Sequence, residues 1–394
     1  MTATDGKPAG FADASPGSVL PWHAILEDSP AAPLAAQLFR REIQLKRRLC
    51  VISKKHQPMK AAILNQYDKH AIHVDVQDIS LPKPAADEVL VKVLTAGVNP
   101  LDNMIAHGEV RLIVPYRLPL VMGNELVGIV ERCGRNSTRF AVGDRVYCRM
   151  PLSRPGAFAE YAAVAEGALA RVPDHLNDEE AAAVPLTALT ALQAFDLLQA
   201  KEGDRLFISG GTGSFGARAI PLAKERGLHV ITNGNAENSE RVLRLGAERF
   251  IDYKKEDYTA VLKDVDCVID TLGDSELPRE FGILKQGGHL VSLRGLPNGE
   301  FANRTRMPWQ KRILFGAAGR KYDKMAARRG QHYHFIFVHE DGVALQQASD
   351  IFSAKHIEAA VDGVFPLAEV KAAMQKVASG GSRGKTVLRI APTA

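Results

Sequence analysis

Leu206-Phe-Ile-Ser-Gly-Gly-Thr-Gly-Ser-Phe-Gly216 sets a short apolar run against a glycine-rich turn, and a helical pattern continues from Ala217 to Glu225. Within it, Gly211-x-Gly213-x-x-Gly216 has the spacing of a dinucleotide-binding turn. The first glycine permits the turn, the second lets backbone amides approach a pyrophosphate, and the third lets helix and strand pack closely. The helix start then offers unpaired N–H groups and a favourable dipole to an anion. Gly210, Gly211, Thr212, Gly213, Ser214, Phe215 and Gly216 are therefore the first candidate nucleotide contacts.

Such a turn says little without its surroundings. Downstream stand Leu228-His-Val-Ile-Thr232, a helical stretch from Ser239 to Leu245 closed by Gly246, Arg249-Phe-Ile-Asp252, Asp266-Cys-Val-Ile-Asp-Thr271 and His289-Leu-Val-Ser-Leu293. Short apolar runs alternating with helical segments predict an α/β domain, a doubly wound parallel sheet with helices on both faces.

The 394 residues allow two domains with substantial cores. Hydrophobic content of 46% and charged content of 24% are those of a globular chain. No apolar run approaches the roughly 18 residues of a membrane span. Cys50, Cys133, Cys148 and Cys267 form no C-x-x-C pair, which favours a reducing compartment, taken here as cytoplasmic, and supplies no metal framework. The net charge of +5 is concentrated in two stretches, Arg40 to Lys55 and Arg304 to Arg329. Both read as solvated surface, without the aromatic interleaving of a nucleic-acid platform.

Residues 1–58 hold six prolines, many alanines and one helical pattern, Leu34 to Leu49, so a disordered extension is expected. Its opening lacks the basic start and apolar core of a secretory signal, and Asp5, Asp13, Glu27 and Asp28 disfavour a transit peptide. Met59 begins a strand, and short strands with turn signals continue to 178 as a β-rich domain. The α/β pattern occupies 179–339. Residues 340–394 then give a helix (Val343 to Phe352), a strand near Val364, a helix (Leu367 to Ala378) and a strand (Lys385 to Ile390), expected to return to the first domain. A cleft between the two would let substrate meet cofactor.

Asp87-Glu-Val-Leu-Val-Lys-Val, Ala96-Gly-Val-Asn-Pro-Leu-Asp102, Gly123-Asn-Glu-Leu-Val-Gly128, Gly143-Asp-Arg-Val146, Gly156-Ala-Phe-Ala-Glu-Tyr161, Thr187-Ala-Leu-Thr-Ala191 and Gly384-Lys-Thr-Val-Leu388 occur in this order. Together they resemble the medium-chain dehydrogenases/reductases, and more narrowly their zinc-independent quinone oxidoreductase and enoyl reductase branch. The resemblance runs from Met59 to Ile390. It implies a GroES-like β-rich catalytic domain joined to a Rossmann domain, as a homodimer. Zinc alcohol dehydrogenases of this superfamily place ligands where this chain has Asn99, Asn124 and Leu186, and a catalytic zinc site needs three donors from His, Cys or carboxylate. No zinc is expected.

Without a Lewis acid, alcohol oxidation is disfavoured, and hydride transfer from a nicotinamide to a small electrophile such as a quinone or an α,β-unsaturated carbonyl remains. Asn99 is the first catalytic candidate, donating to the substrate oxygen or holding the nicotinamide ribose; the plainer alternative is a cap on the Asn99-Pro100 turn. Asn124 is second. Where some relatives place a tyrosine after the Asn-Pro segment, Met104 and Val110 stand, and Tyr116 is the nearest substitute, equally suited to packing. No general acid is identified, which leaves solvent to supply the proton.

At the end of the second nucleotide-domain strand, where an acid would bind the ribose of NAD, the chain has Asn233. NADPH is the expected cofactor, with Asn235, Ser239 or Arg241 at the 2′-phosphate; Glu237 keeps NADH open. The resemblance and strand positions add Thr190, Leu272, Leu293 and Phe337, the last ending the sixth strand. Lys385 would touch the pyrophosphate or, as a strand-leading lysine, stand in solvent. Substrate choice is assigned to loops at Arg111 to Leu120 and Leu296 to Gln331. Short-chain nucleotide-sugar enzymes share a similar glycine turn, but none of the eight tyrosines has lysine four residues later. The non-enzyme alternative is a catalytically weak nucleotide-binding protein that serves as an interaction or RNA-binding module through Arg304 to Arg329.

Overall fold

The apolar run before the glycine turn is a strand whose Leu206, Phe207 and Ile208 are all fully buried, as a central parallel strand covered on both faces requires. The structure, a computed structural model, describes residues 58–380 and 384–391. The expectations for the extension, its helical stretch and the first basic run fall outside the described residues, Pro58 apart.

Eight strands precede the central one: β1 (Pro58–Leu64), β2 (Val74–Ser80), β3 (Glu88–Val98), β4 (Leu120–Val121), β5 (Glu125–Cys133), β6 (Arg145–Arg149), β7 (Tyr161–Ala165) and β8 (Leu169–Arg171). The central strand is β9 (Arg205–Ile208). It is followed by β10 (His229–Gly234), β11 (Arg249–Asp252), β12 (Val265–Asp270), β13 (Leu284–Ser292) and β14 (His332–Phe335). Two more, β15 (Val361–Pro366) and β16 (Lys385–Arg389), close the chain.

Strands β9 to β14 form one parallel sheet in the order β11-β10-β9-β12-β13-β14. The chain therefore runs outward from β9 in one direction, then returns to β12 and builds in the other. That reversal is the doubly wound topology, and its switch point lies between β9 and β12, directly after which the glycine turn sits. The remaining strands form a GroES-like β-rich part. A seven-stranded sheet runs β15-β16-β3-β5-β6-β8 with β7 also paired to β3, and β2-β1-β4 form a smaller one. The C-terminal strand β16 lies antiparallel to β3, pairing Thr386 with Val98.

One apolar cluster draws Val127, Tyr147, Ala170 and Val387 from the β-rich part together with Leu206, Ile208, Val230 and Val291 from the parallel sheet. The helix Pro185–Leu197 supplies Ala188, Leu189, Ala191, Ala194 and Phe195 to the same cluster.

Three sequence expectations are corrected. The sixth strand ends at Phe335, two residues before Phe337. The stretch from Leu296 to Gln331 is chiefly three helices, Gly299–Arg304, Trp309–Ala318 and Arg320–Ala327, rather than a loop. Its apolar side, Phe301, Phe315, Tyr322 and Ala326, packs under the sheet. Several of its basic side chains are also used internally: Arg304, Arg312 and Arg329 donate to the carbonyls of Phe335, Met307 and Phe281.

Candidate functional site

Each glycine of the turn meets a different steric demand. Gly210 has φ +64°, in the left-handed region. A Cβ on Gly211 would run into Thr232, and one on Gly216 into the carbonyl of Gly211, so these two set the close approach of turn, strand and helix. A Cβ on Gly213 would meet nothing nearer than the Gly210 carbonyl at 3.8 Å. The backbone is thus open at Gly213, where a pyrophosphate would approach, and the helix Gly216–Glu225 starts three residues on. These features fit a dinucleotide.

The side chain of Asn233 accepts the Gly210 N–H at 2.8 Å, so it braces the turn from below. Arg241, on the helix Ser239–Arg244, donates to the carbonyl of Thr212 and so brings its guanidinium to the turn. Asn235 and Ser239 are partly exposed on the segment between Asn233 and Arg241. The Thr190 hydroxyl donates to Leu186 O at 2.7 Å within its helix. Leu272 is exposed beyond the end of β12, and Leu293 follows β13 with its N–H on Asp270 O. Phe337 packs against the apolar clusters of both the β-rich part and the parallel sheet.

Asn99, Glu125 and Lys385 form a second, fully internal constellation. The Lys385 ammonium donates to Asn99 Oδ1 at 2.5 Å and is ion-paired with Glu125. Asn99 Nδ2 donates to Glu125 Oε1 at 2.7 Å and to Gly97 O at 3.3 Å. Glu125 Oε2 accepts the Leu186 N–H at 2.8 Å, from the helix that carries Thr190. All three side chains are buried, and Lys385, expected at the pyrophosphate or else in solvent, is instead bound to Asn99 and Glu125.

Asn99 is the N-cap residue of the helix Pro100–Ala106, and its backbone N–H is accepted by Asp102 Oδ2 at 2.7 Å. Its side chain is turned to Glu125 and Lys385. Asn124 Nδ2 donates to Asp102 Oδ1 at 2.7 Å, while Asn124 Oδ1 is buried without a partner. Burial raises the Asp102 carboxyl to about 7 against the hydrogen bonds that favour its charged form. Tyr116 donates to Leu152 O at 2.8 Å, and burial pushes its hydroxyl up to about 12.

Sequence reasoning assigned no role to Glu125 or Asp102, although both stand in the quoted Gly-Asn-Glu and Asn-Pro-Leu-Asp segments. Nor did it single out Arg149, which is fully buried with its nearest carboxylate, Glu340, at 3.9 Å. Nothing local distinguishes these charges from surface ones.

Known proteins share this architecture. The family described as zinc-binding dehydrogenase matches residues 245–388, and the alcohol dehydrogenase GroES-like domain matches residues 85–174. The chain is 30% identical over 358 residues to the NAD(P)H oxidoreductase RTN4IP1, mitochondrial, of Danio rerio, covering 84% of this chain and 91% of that protein. It is 27% identical over 324 residues to the quinone oxidoreductase of Homo sapiens, covering 79% and 92%. The solved structure of the quinone oxidoreductase from Coxiella burnetii aligns with a TM-score of 0.71 at 25% identity, covering 85% of this chain and all of that one.

The zinc ion in the first family description does not fit the residues present. Asn124 and Asn99 turn their amide nitrogens to protein carboxylates, and Leu186 offers only its backbone. Among the described residues no group of three or more His, Cys, Asp or Glu is placed to hold a metal.

Proposed function

Because the chain belongs to the medium-chain dehydrogenases/reductases, in their quinone oxidoreductase-like branch, and is an NAD(P)H-type oxidoreductase, we propose that it uses NADPH to reduce a quinone or an α,β-unsaturated carbonyl without zinc. The observation that carries the reading is the pairing of an open glycine turn with hydrogen-bonding amides at the superfamily's metal positions. A nicotinamide cofactor held at the turn supplies hydride. The open backbone at Gly213 takes the pyrophosphate, and Arg241 stands over Thr212 to meet the 2′-phosphate. Asn233 adds no negative charge there.

Asn99 reaches the substrate oxygen or the ribose by exchanging its long 3.3 Å bond to Gly97 O, while Lys385 and Glu125 hold its amide plane. As hydride adds to the electron-poor carbon, charge grows on the substrate oxygen, and an oriented amide N–H stabilises it. Tyr116, whose proton is held more tightly than an ordinary phenol's, is a poor acid, so solvent supplies the proton. Asn124 serves by fixing Asp102 and through it the backbone of Asn99.

A homodimer and a cytoplasmic location belong to the same proposal. No helix among the described residues is long and apolar enough to cross a membrane. Several relatives carry the word mitochondrial in their names, so cell fractionation is the measurement that separates the two compartments.

The test is steady-state turnover on a panel of quinones and enones with NADPH and NADH, with and without chelator. Chelator-insensitive turnover preferring NADPH is expected. Loss of activity on chelation, or a preference for NADH, overturns the corresponding part.

A further inference from the structure

A cavity of about 550 Å³ runs along the outer side of the helix Gly216–Glu225, bounded by the helix Ser239–Arg244 and by the segment that leads into β15. Its volume is that of a small-molecule site. Five cationic side chains line it, Arg218, Lys224, Arg241, Arg244 and Lys355, against the carboxylates of Glu225 and Glu358. Glu225 is paired with Lys355 at 3.3 Å, and Arg218, Lys224 and Arg244 line the cavity together with the one further carboxylate of Glu358.

Arg218 is the informative member. It is 3% exposed, its Nη1 donates to the carbonyls of Glu358 and Ala217, and its Nε is buried without a partner. Burial, and then the neighbouring Arg241, push its guanidinium down to about 10. A buried guanidinium at a concave surface that has not spent all its N–H groups on the chain suits a phosphate dianion, which accepts forked N–H donors. The expected dinucleotide passes over the start of the helix and the ends of the parallel strands. The cavity touches the helix start at Ala217 and the turn's partner Arg241, but extends along the helix side through Arg218, Pro221 and Lys224.

We propose that this cavity binds a small phosphate-bearing anion, separately from the dinucleotide. The phosphate belongs to an independent small molecule; occupation by the cofactor's own 2′-phosphate is the competing outcome, and the test separates the two. The full-length protein is titrated calorimetrically with inorganic pyrophosphate at low ionic strength, first with saturating NADH and then with saturating NADPH.

Binding is expected under both conditions. Lys224 and Arg244 are exposed and lie outside the glycine turn, so Lys224→Glu with Arg244→Glu preserves the fold. That double variant is expected to weaken pyrophosphate at least about ten-fold while the dinucleotide KM stays unchanged. Arg218→Met, checked for folding by its melting curve, should weaken it further. Absence of binding at millimolar pyrophosphate overturns the site, as does unchanged affinity in the double variant. Displacement by NADPH but not by NADH assigns the phosphate to the cofactor and overturns the separate site.

Discussion

At the scale of single residues, the buried pair of Lys385 and Glu125 determines what Asn99 can do. Each charge is tolerable in the interior only because the other, together with Asn99 and the Leu186 N–H, replaces water. Lys385→Met strands the Glu125 carboxylate, and urea unfolding should show a loss of about 3–5 kcal/mol. Adding Glu125→Gln should recover part of it; no recovery would show that the two do not act as a pair. Asp102 gives a separate, pH-dependent signature. Its folded carboxyl is raised from 3.8 to about 7, so between those values the native state holds a proton that the unfolded state has released. The stability it contributes is complete below the lower value and is lost as pH rises to the upper one. Asp102→Asn removes this titration, and the new amide can donate to the partnerless Asn124 Oδ1 once the facing amide turns over. Its melting temperature should therefore vary less than the parent's between roughly pH 5 and 8; parallel curves would refute the assignment.

At the scale of elements, the glycine turn separates binding from folding. Gly213→Ala meets no atom closer than 3.8 Å, so stability should change by less than about 0.5 kcal/mol while dinucleotide affinity falls. Gly216→Ala drives a Cβ into the Gly211 carbonyl and should lower stability as well as binding. Equal effects of the two on unfolding would overturn this division. Asn233→Asp keeps the oxygen that accepts the Gly210 N–H but adds charge beside the expected 2′-phosphate. The ratio of kcat/KM for NADPH over NADH should fall at least about ten-fold. The turn, its flanking strands and the helix after it were legible because each imposes a local pattern: glycine spacing, a short apolar run, a capped periodic stretch. The three helices between 299 and 327 were less legible because their apolar positions are interrupted by basic residues, of which Arg304 and Arg312 turn back to backbone carbonyls. The Asn99–Glu125–Lys385 constellation was illegible as a unit, since Lys385 lies 286 positions from Asn99 and only the return of β16 onto β3 brings them together.

At the scale of the whole molecule, that return couples the two sheets. Strand β16 lies between β15 and β3 in the β-rich sheet, while its Val387 belongs to the same apolar cluster as Leu206 and Ile208 of β9. Tyr147 and Val127 reach this cluster from β6 and β5, and the helix Pro185–Leu197 lies between, anchored to Glu125 through Leu186. Among the described residues, those from Pro58 onward form one compact unit. Calorimetry should therefore show a single unfolding transition for the parallel sheet and the β-rich part, coincident with loss of the near-ultraviolet circular dichroism of both tryptophan-poor cores. Because a dinucleotide held at the turn binds the native state alone, NADPH at 100 times its Kd should raise the whole transition by about 2.7 kcal/mol of stability. Two resolved transitions, only one of them shifted by NADPH, would show instead that the shared cluster does not couple the sheets and that cofactor binding is felt by the parallel sheet alone.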